Sequence, residues 1–393
     1  MWSSALAVSF WTLLSGTQAV PDSAGSAYAR LLTEFRTGDP AEAIDELLAW
    51  DPQDAARAAL ELVRDGRRQL DLLRESNDSP HRGGSAEDRS QYPGYARDLE
   101  TIAVLHLEVF VRVDDEHART EHLRATDAAV RALVAVAGSR RGARSSVSGR
   151  APSQEGSDLE RTLDFYRVWY TGAIARFQQL GAFSDVDRYV PRALALFPRD
   201  PALLTVAGAA DEVAASPLVM LMPPRSPTTN PLDGERLRAE ALRSAERHLR
   251  RALAGSPSFG EARLRLGRVL VLQKRHDEAL ALLEPLESSV DDGDRRGYLS
   301  MLFRAFSLAE RGLWAESSQL LRRTVDRYPG RQAANVALAH SLMRGGDMEA
   351  ARRVTGHYLR QPRRDDDPWW SYYEGMPWLV AESLESLRQR VRR

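Results

Sequence analysis

The chain has 393 residues, of which 43% are hydrophobic, which suits either several globular domains or one extended repeat array. Its 54 basic and 55 acidic residues give a net charge of −1, so we expect no nucleic acid partner and no general attraction to anionic membranes. The chain has no cysteine, and we therefore expect neither disulfides, thiolate metal sites and cysteine nucleophiles nor lipid attachment through an N-terminal cysteine.

Residues 1–19 are typical of a signal peptide. The apolar run Ala5–Leu14 precedes small residues ending at Ala19, although no Lys or Arg comes before the run. The run is shorter than the ~20 residues that a membrane-spanning helix needs. Cleavage after Ala19 would give a periplasmic or secreted protein that is not a lipoprotein. The alternative interpretation is a buried first helix.

The pattern from residue 23 to residue 137 predicts helical hairpins. Helices are expected at 26–35 and 41–50, joined by a turn at Gly38–Pro40, and again at 99–113 and 118–137. Two polar segments, 76–93 and 138–157, contain almost no apolar residues and are expected to be a mobile loop and a disordered loop. No alternating pattern of β-branched residues occurs, so the predicted fold class is all-α.

A spacing typical of the second helix of a helix pair recurs in the C-terminal half. It consists of a small or aliphatic residue, an apolar residue four later, a small residue three later and a proline five later. The matches are Val186–Val190–Ala193–Pro198, Ala245–Leu249–Ala252–Pro257, Ser317–Leu321–Thr324–Pro329, Ala350–Val354–His357–Pro362, and Ala279–Leu283–Leu286 without the proline. Ala245 and Ala279 lie 34 positions apart, whereas Pro198 and Pro257 lie 59 apart, so an insertion at 217–234 is predicted.

These residues resemble tetratricopeptide repeats, which we expect over 158–366, with the N-terminal region as a degenerate form of them. The resemblance implies an α-solenoid of helix-turn-helix pairs that binds another protein and needs no cofactor. The ending Asp367–Trp370 also resembles that of secreted repeat proteins from soil bacteria. A single lysine, Lys274, and three isoleucines indicate a GC-rich bacterial genome.

The resemblance also implies a concave groove for an extended or helical peptide. The positions expected to line it are Leu264, Arg268, Val271, Leu302, Phe306, Asn335 and Leu342. The positions where some family members carry the Lys and Asn that clamp a carboxylate hold Leu264, Phe303 and Gln332 instead. An apolar helix or strand is therefore the expected ligand. The alternative is that other helices of this chain fill the groove.

An aromatic patch formed by Trp369, Trp370 and Tyr373 lies within 367–393, where we expect capping helices. Asp367 and Pro368 are typical of a helix start, so Trp370 and Tyr373 should share one helical face. The patch either closes the open end of the array or forms a platform for a sugar or peptide.

Enzyme signatures for metalloproteases, phosphate loops, dinucleotide folds and nucleophile elbows do not occur in the sequence, so no catalytic residue, cofactor or metal is expected. His106, in an apolar helix, is expected to bond a neighbouring acceptor, and the loop with Asp291, Asp292 and Asp294 lacks the spacing of a calcium site.

The leading hypothesis is therefore a protein-interaction scaffold of the bacterial cell envelope. The alternatives are a glycan-binding or carbohydrate-processing accessory protein that uses the aromatic patch, and a structural subunit of an assembly. Self-association into a homo-oligomer stays open.

Overall fold

The computed structural model describes residues 24–78, 86–142, 155–216, 231–287, 295–361 and 367–392. Within these ranges the chain forms seventeen α-helices and one short 3-10 helix, and it contains no strand, which confirms the all-α prediction. Two compact units are present. The first comprises residues 1–169 and 381–393, and the second comprises residues 170–380.

The first unit begins with the predicted hairpin. Its two helices are α1 (Ala24–Thr37) and α2 (Pro40–Leu48). The side chain of Asp39 accepts a hydrogen bond of 2.8 Å from the Ala41 amide, and Pro40 occupies the first helical turn, where a missing N–H costs nothing. The remaining helices of this unit are α3 (Pro52–Asp78), α4 (Ala86–Arg112), α5 (Glu116–Gly142) and the first part of α6 (Glu155–Gln179).

Helices reach into both segments that were predicted as loops. α3 continues to Asp78 and α4 begins at Ala86, while α5 continues to Gly142 and α6 begins at Glu155. A helix nucleated by packed apolar residues extends into polar residues at little cost, since Glu, Arg and Gln are good helix formers. Residues 79–85 and 143–154 lie outside the described residues, as do the predicted signal peptide and the Asp291 loop.

The second unit is an array of helix pairs. After the end of α6 it contains α7 (Phe183–Leu196), α8 (Pro201–Ala214), α9 (Pro231–Gly255), α10 (Gly260–Leu272), α11 (His276–Leu283), α12 (Arg295–Glu310), α13 (Trp314–Arg327), α14 (Gln332–Arg344) and α15 (Met348–Leu359). The five predicted second helices coincide with α7, α9, α11, α13 and α15. Of the predicted insertion at 217–234, the described part, residues 231–234, belongs to α9.

Small residues allow close contact within the pairs. Gly267 on α10 faces α11, and a Cβ placed on it would lie 2.4 Å from Cγ of Leu283. Ala245, Ala279 and Ser317, at the small position of the repeat spacing, are fully buried. The small positions of the repeat spacing therefore mark where the two helices of a pair pack closely together.

Two helices follow the array. α16 (Pro368–Tyr372) belongs to the second unit, and α17 (Trp378–Arg392) begins there and ends among residues of the first. The residues of α17 that lie in the first unit form ion pairs within it, between Arg388 and Glu108 and between Arg390 and Asp164.

Candidate helix-binding groove

The first helices of successive pairs, α8, α10, α12 and α14, form a surface that we call the groove. The segment from Asp367 to Gly375, which contains α16, lies on this surface and contacts each of the four helices. The sequence alternative in which the chain's own helices fill the groove therefore describes this structure.

Asp367 fixes the start of the segment. One carboxylate oxygen, Oδ1, caps α16 by accepting a hydrogen bond of 2.9 Å from the Trp369 amide. The other, Oδ2, accepts bonds from the Ala333 amide at 2.7 Å and the Tyr298 hydroxyl at 3.1 Å. Ala333 lies in the first turn of α14, so this carboxylate also occupies the positive end of that helix. Asp367 is almost fully buried, and these three hydrogen bonds satisfy its side-chain oxygens.

Trp369 enters an aromatic slot formed by α10 and α12. Its ring meets Phe303 and Phe306 edge to face, with centroids 6.1 and 5.7 Å away. The guanidinium of Arg268 lies 5.7 Å from the Trp369 centroid and also packs against both phenylalanines. The slot therefore offers edge-to-face and cation–π contacts that select a large aromatic ring.

Tyr372 occupies a second, more polar position and is fully buried. Its hydroxyl donates a hydrogen bond of 2.5 Å to Oε1 of Glu212 on α8. The guanidinium of Arg265, on α10, lies 4.6 Å from the ring centroid. This position accommodates an apolar ring with one hydrogen-bond donor, which is what a tyrosine presents.

Arg265 connects the segment to the array. It is fully buried, and it donates from Nε to Glu261 at 2.8 Å and from Nη1 to Glu212 at 3.2 Å. Nη2 donates to the main-chain carbonyls of Tyr372 at 3.3 Å and Gly375 at 2.6 Å. Two of the acceptors are main-chain oxygens of the bound segment, and the guanidinium also packs on the Tyr372 ring. Arg265 therefore contacts both the backbone and a side chain of the segment.

The two buried carboxylates differ in their electrostatics. Burial raises the pKa of Glu212 above its ordinary value, although Arg265 opposes that effect. Burial also acts to raise the pKa of Glu261, but Arg295 and Arg265 outweigh it and the pKa of Glu261 is lowered. Burial and the adjacent Glu212 raise the pKa of Tyr372 well above its ordinary value, so its hydroxyl stays a donor.

Gly375 ends the bound segment. It has a φ of 80°, a conformation that L-residues with a Cβ rarely adopt. A Cβ at this position would lie 2.4 Å from Oε1 of Gln178 on α6. Glycine therefore suits both the turn and the close approach of the main chain to the Gln178 side chain.

The seven residues predicted to line the groove occupy different places. Arg268 and Phe306 do face it, since both contact Trp369. Leu264, Leu302 and Leu342 are instead buried in the hydrophobic core of the array, and Val271 belongs to a neighbouring core cluster. Asn335, also buried, lines a cavity between α13 and α15. The three leucines and Val271 are too buried to contact a partner in the groove, because one face of a first helix must pack against its own second helix.

The predicted aromatic patch is divided between core and surface. Trp369 and Tyr373 pack against the core of the array, and their rings meet edge to face with centroids 5.5 Å apart. Trp370 is 59% exposed, so a platform built from all three rings is not present in the described residues. Only Trp369 and Tyr373 of the patch pack on the array, and a capping role for the segment stays a prediction.

Arg265, Glu212 and Glu261 were missed by reasoning from the sequence, which placed Tyr372 in the C-terminal aromatic cluster but not in the groove. A usable indication was present, because Glu212 interrupts the small apolar residues of α8, and Glu261 and Arg265 stand four apart and so share one face of α10. Charged residues at core positions require buried partners.

The first unit contains a separate buried polar group. His106 is fully buried, with Nε2 2.7 Å from the Tyr28 hydroxyl and Nδ1 2.9 Å from Nδ1 of His122. Burial and the neighbouring His122 hold the pKa of His106 well below its ordinary value, and burial lowers the pKa of His122 to about 4. Both imidazoles are therefore neutral at pH 7. The sequence predicted a hydrogen-bonding neighbour for His106 but did not identify Tyr28 and a second histidine as its two partners.

Two further properties concern the described residues alone. None of their helices has the length and apolar character needed to cross a membrane. They also contain no group of three or more His, Cys, Asp or Glu side chains arranged to hold a metal ion.

Comparison with known proteins gives one family match. Residues 236–299, which cover α10 and α11 and parts of α9 and α12, match the tetratricopeptide repeat model. No curated protein matches the chain.

Several solved structures share the helical arrangement. The Pseudomonas aeruginosa PilF structure matches with 14% identity and a TM-score of 0.38, covering 59% of this chain and 92% of PilF. The anaphase-promoting complex structure Cut9–Hcn1 matches with 13% identity and a TM-score of 0.35, covering 93% of this chain and 77% of that one. A MamA structure matches with 16% identity and a TM-score of 0.35, covering 50% and 98%. The second unit is an α-solenoid of helix-turn-helix pairs, and residues 236–299 within it match the tetratricopeptide repeat model.

Proposed function

We propose that this chain is a non-enzymatic protein-interaction scaffold whose groove binds a short helical segment of a partner protein. The observation that carries the proposal is the set of contacts made by the segment 367–375, which lies on the first helices as a peptide ligand would. Tetratricopeptide-type arrays present such surfaces because each pair contacts only its neighbours and leaves the first helices aligned.

The groove chemistry defines the partner segment. A carboxylate suits the site formed by the Ala333 amide and Tyr298, a large aromatic ring suits the slot beside Phe303 and Phe306, and a phenol suits Glu212. The expected segment therefore has an acidic helix cap, an aromatic residue two positions later and a tyrosine three positions after that. To bind, it must replace α16.

A peptide-display selection tests this proposal. The selection target is the chain with Trp369→Ala and Tyr372→Ala, which weakens the resident segment, and the matched control carries Trp370→Ala and Glu374→Ala at exposed neighbouring positions. We expect enrichment of acidic–aromatic helical peptides on the first variant and none on the control. Enrichment of unrelated peptides, or equal enrichment on both folded variants, would overturn the proposal.

The glycan-binding alternative loses its main support, because Trp369 and Tyr373 are packed into the array.

We propose a periplasmic or secreted location on the sequence of residues 1–19 alone. N-terminal sequencing of the mature protein tests this part, and a start at Val20 is the expected result. A protein that keeps Met1 or starts at Trp2 would contradict it.

A further inference from the structure

A surface cavity of about 330 Å³ lies between α13 and α15, above α14. None of its lining residues takes part in the contacts with α16 described above. Its apolar wall is formed by Val325, Leu338, Ala350 and Val354, and its polar wall by Arg322, Asp326, Asn335, Arg353 and His357. The volume suits two or three side chains of a ligand.

The cavity carries more positive than negative charge. Arg322 and Arg353 line it from opposite helices, α13 and α15, with His357 one turn beyond Arg353. Asp326 is the one acidic residue in the lining. Among the described residues Arg322 has no ion-pair partner, and Arg353 pairs only with the highly exposed Glu349. Exposed pairs of this kind contribute ~0–1 kcal/mol, so both guanidinium groups are available to an anion.

We infer that this cavity is a second docking site, for an acidic peptide segment of a protein partner. A glutamate or aspartate side chain would lie between Arg322 and Arg353, where guanidinium groups bind a carboxylate with two hydrogen bonds. An adjacent aliphatic side chain would cover Val325, Leu338 and Val354. The apolar wall and Asp326 favour this ligand over a free phosphate or a nucleic acid, which have no apolar side chain to place there.

This site does not depend on the groove. The proposed function requires that the segment 367–375 be replaced, whereas the cavity is open while α16 remains in place. Both sites include residues of α14, the Ala333 amide in the groove and Asn335 and Leu338 in the cavity, but they share no residue. They also use different chemistry, an aromatic segment in one case and an acidic segment in the other. Failure of one proposal therefore leaves the other unaffected.

Fluorescence anisotropy provides the test, with a fluorescein-labelled hexapeptide of alternating glutamate and leucine as the probe. The test variant is Arg322→Gln with Arg353→Gln. The matched control is Arg323→Gln with Arg352→Gln, which removes the same charge from the adjacent exposed positions. We expect binding to fall by about tenfold or more in the test variant, corresponding to roughly 1.4 kcal/mol, and by less than about twofold in the control.

Several results would overturn the inference. They are the absence of binding by the wild-type chain, an equal loss in both variants, and equal binding of a peptide with lysine in place of glutamate. An equal loss would identify the interaction as general electrostatic attraction. Charge reversal gives a second supporting result, since Arg322→Glu with Arg353→Glu should bind the lysine peptide in preference to the glutamate peptide.

Discussion

The guanidinium of Arg265 lies 4.6 Å from the ring centroid of Tyr372 and donates a hydrogen bond to the carbonyl of the same residue. One buried cation thus contacts both the side chain and the main chain of a residue more than 100 positions later. The segment 367–375 is therefore held in the groove by charge as well as by apolar packing.

Removal of the buried cation should destabilise the second unit. Arg265→Met leaves Glu212 and Glu261 without their shared partner, although each keeps one other hydrogen-bond donor. We expect the free energy of unfolding to fall by roughly 3–5 kcal/mol, the usual result of breaking a buried ion pair. Urea denaturation measures the change. Arg263→Met on the same helix, where the side chain is only partly buried, should cost less than about 1 kcal/mol.

Adjacent tryptophans should respond very differently to truncation. Trp369→Ala removes the ring that fills the slot beside Phe303 and Phe306 and should cost about 3 kcal/mol or more. Trp370→Ala removes an exposed ring and should change the stability by less than about 0.5 kcal/mol. Thermal or urea unfolding of both variants provides the comparison. Equal losses would mean that Trp369 does not anchor α16.

Lys274 occupies a position that suits glycine. Its φ is 62°, and it stands two residues after the end of α10, whereas the same position after α12 and α14 holds Gly312 and Gly346. The left-handed conformation costs an L-residue with a side chain roughly 1–2 kcal/mol, and glycine avoids this cost. Part of the gain is offset because a glycine loses more conformational entropy when the chain folds. Lys274→Gly should therefore raise the free energy of unfolding by about 0.5–1 kcal/mol in urea titration. A loss of stability would contradict the assigned turn.

The repeat spacing could be read from the sequence because the same packing problem recurs in every pair. Small residues such as Ala245 and Ser317 mark where backbones approach, and their positions identified all five second helices. The groove contacts could not be read in the same way. One hydrogen-bond partner of Arg265 is Gly375, 110 residues away, and no periodic pattern in the sequence indicates a contact between a repeat and a segment outside the array.

The predicted groove residues illustrate a finer difficulty. A shift of one position on a helix turns a side chain by about 100°, so Leu264 is in the core while Arg265 contacts the groove. Arg268 and Phe306 were placed on the correct face, since both contact Trp369. The repeat spacing fixed the helices closely enough to find the groove but not closely enough to assign each side chain.

The histidine pair should make the stability of the first unit depend on pH. The pKa of His122 is lowered to about 4 by burial, against an ordinary value of 6.5. The unfolded chain therefore binds more protons than the folded chain between those values, and stability should fall as the pH decreases from 6.5 to 4, by up to about 3 kcal/mol.

Denaturation at a series of pH values measures this effect. His122→Leu should make the profile between pH 4 and pH 6.5 less steep, because this residue can no longer take up a proton while the buried His106 keeps its own contribution. The control is His117→Leu, which alters an exposed histidine on the same helix and should keep the profile of the wild-type chain. An unchanged profile in the His122 variant would show that the pH dependence arises elsewhere.

The most direct test of whether the groove binds a peptide is to add the C-terminal segment to the chain as a separate synthetic peptide. A fluorescein-labelled peptide of residues 367–377 is titrated into the chain with Trp369→Ala and Tyr372→Ala, and into the control chain with Trp370→Ala and Glu374→Ala. If the double variant unfolds, the milder pair Asp367→Asn and Tyr372→Phe replaces it. We predict saturable binding to the variant with the weakened segment and little binding to the control, whose groove stays filled. Absence of binding to the folded variant, or equal binding to both chains, would contradict the account.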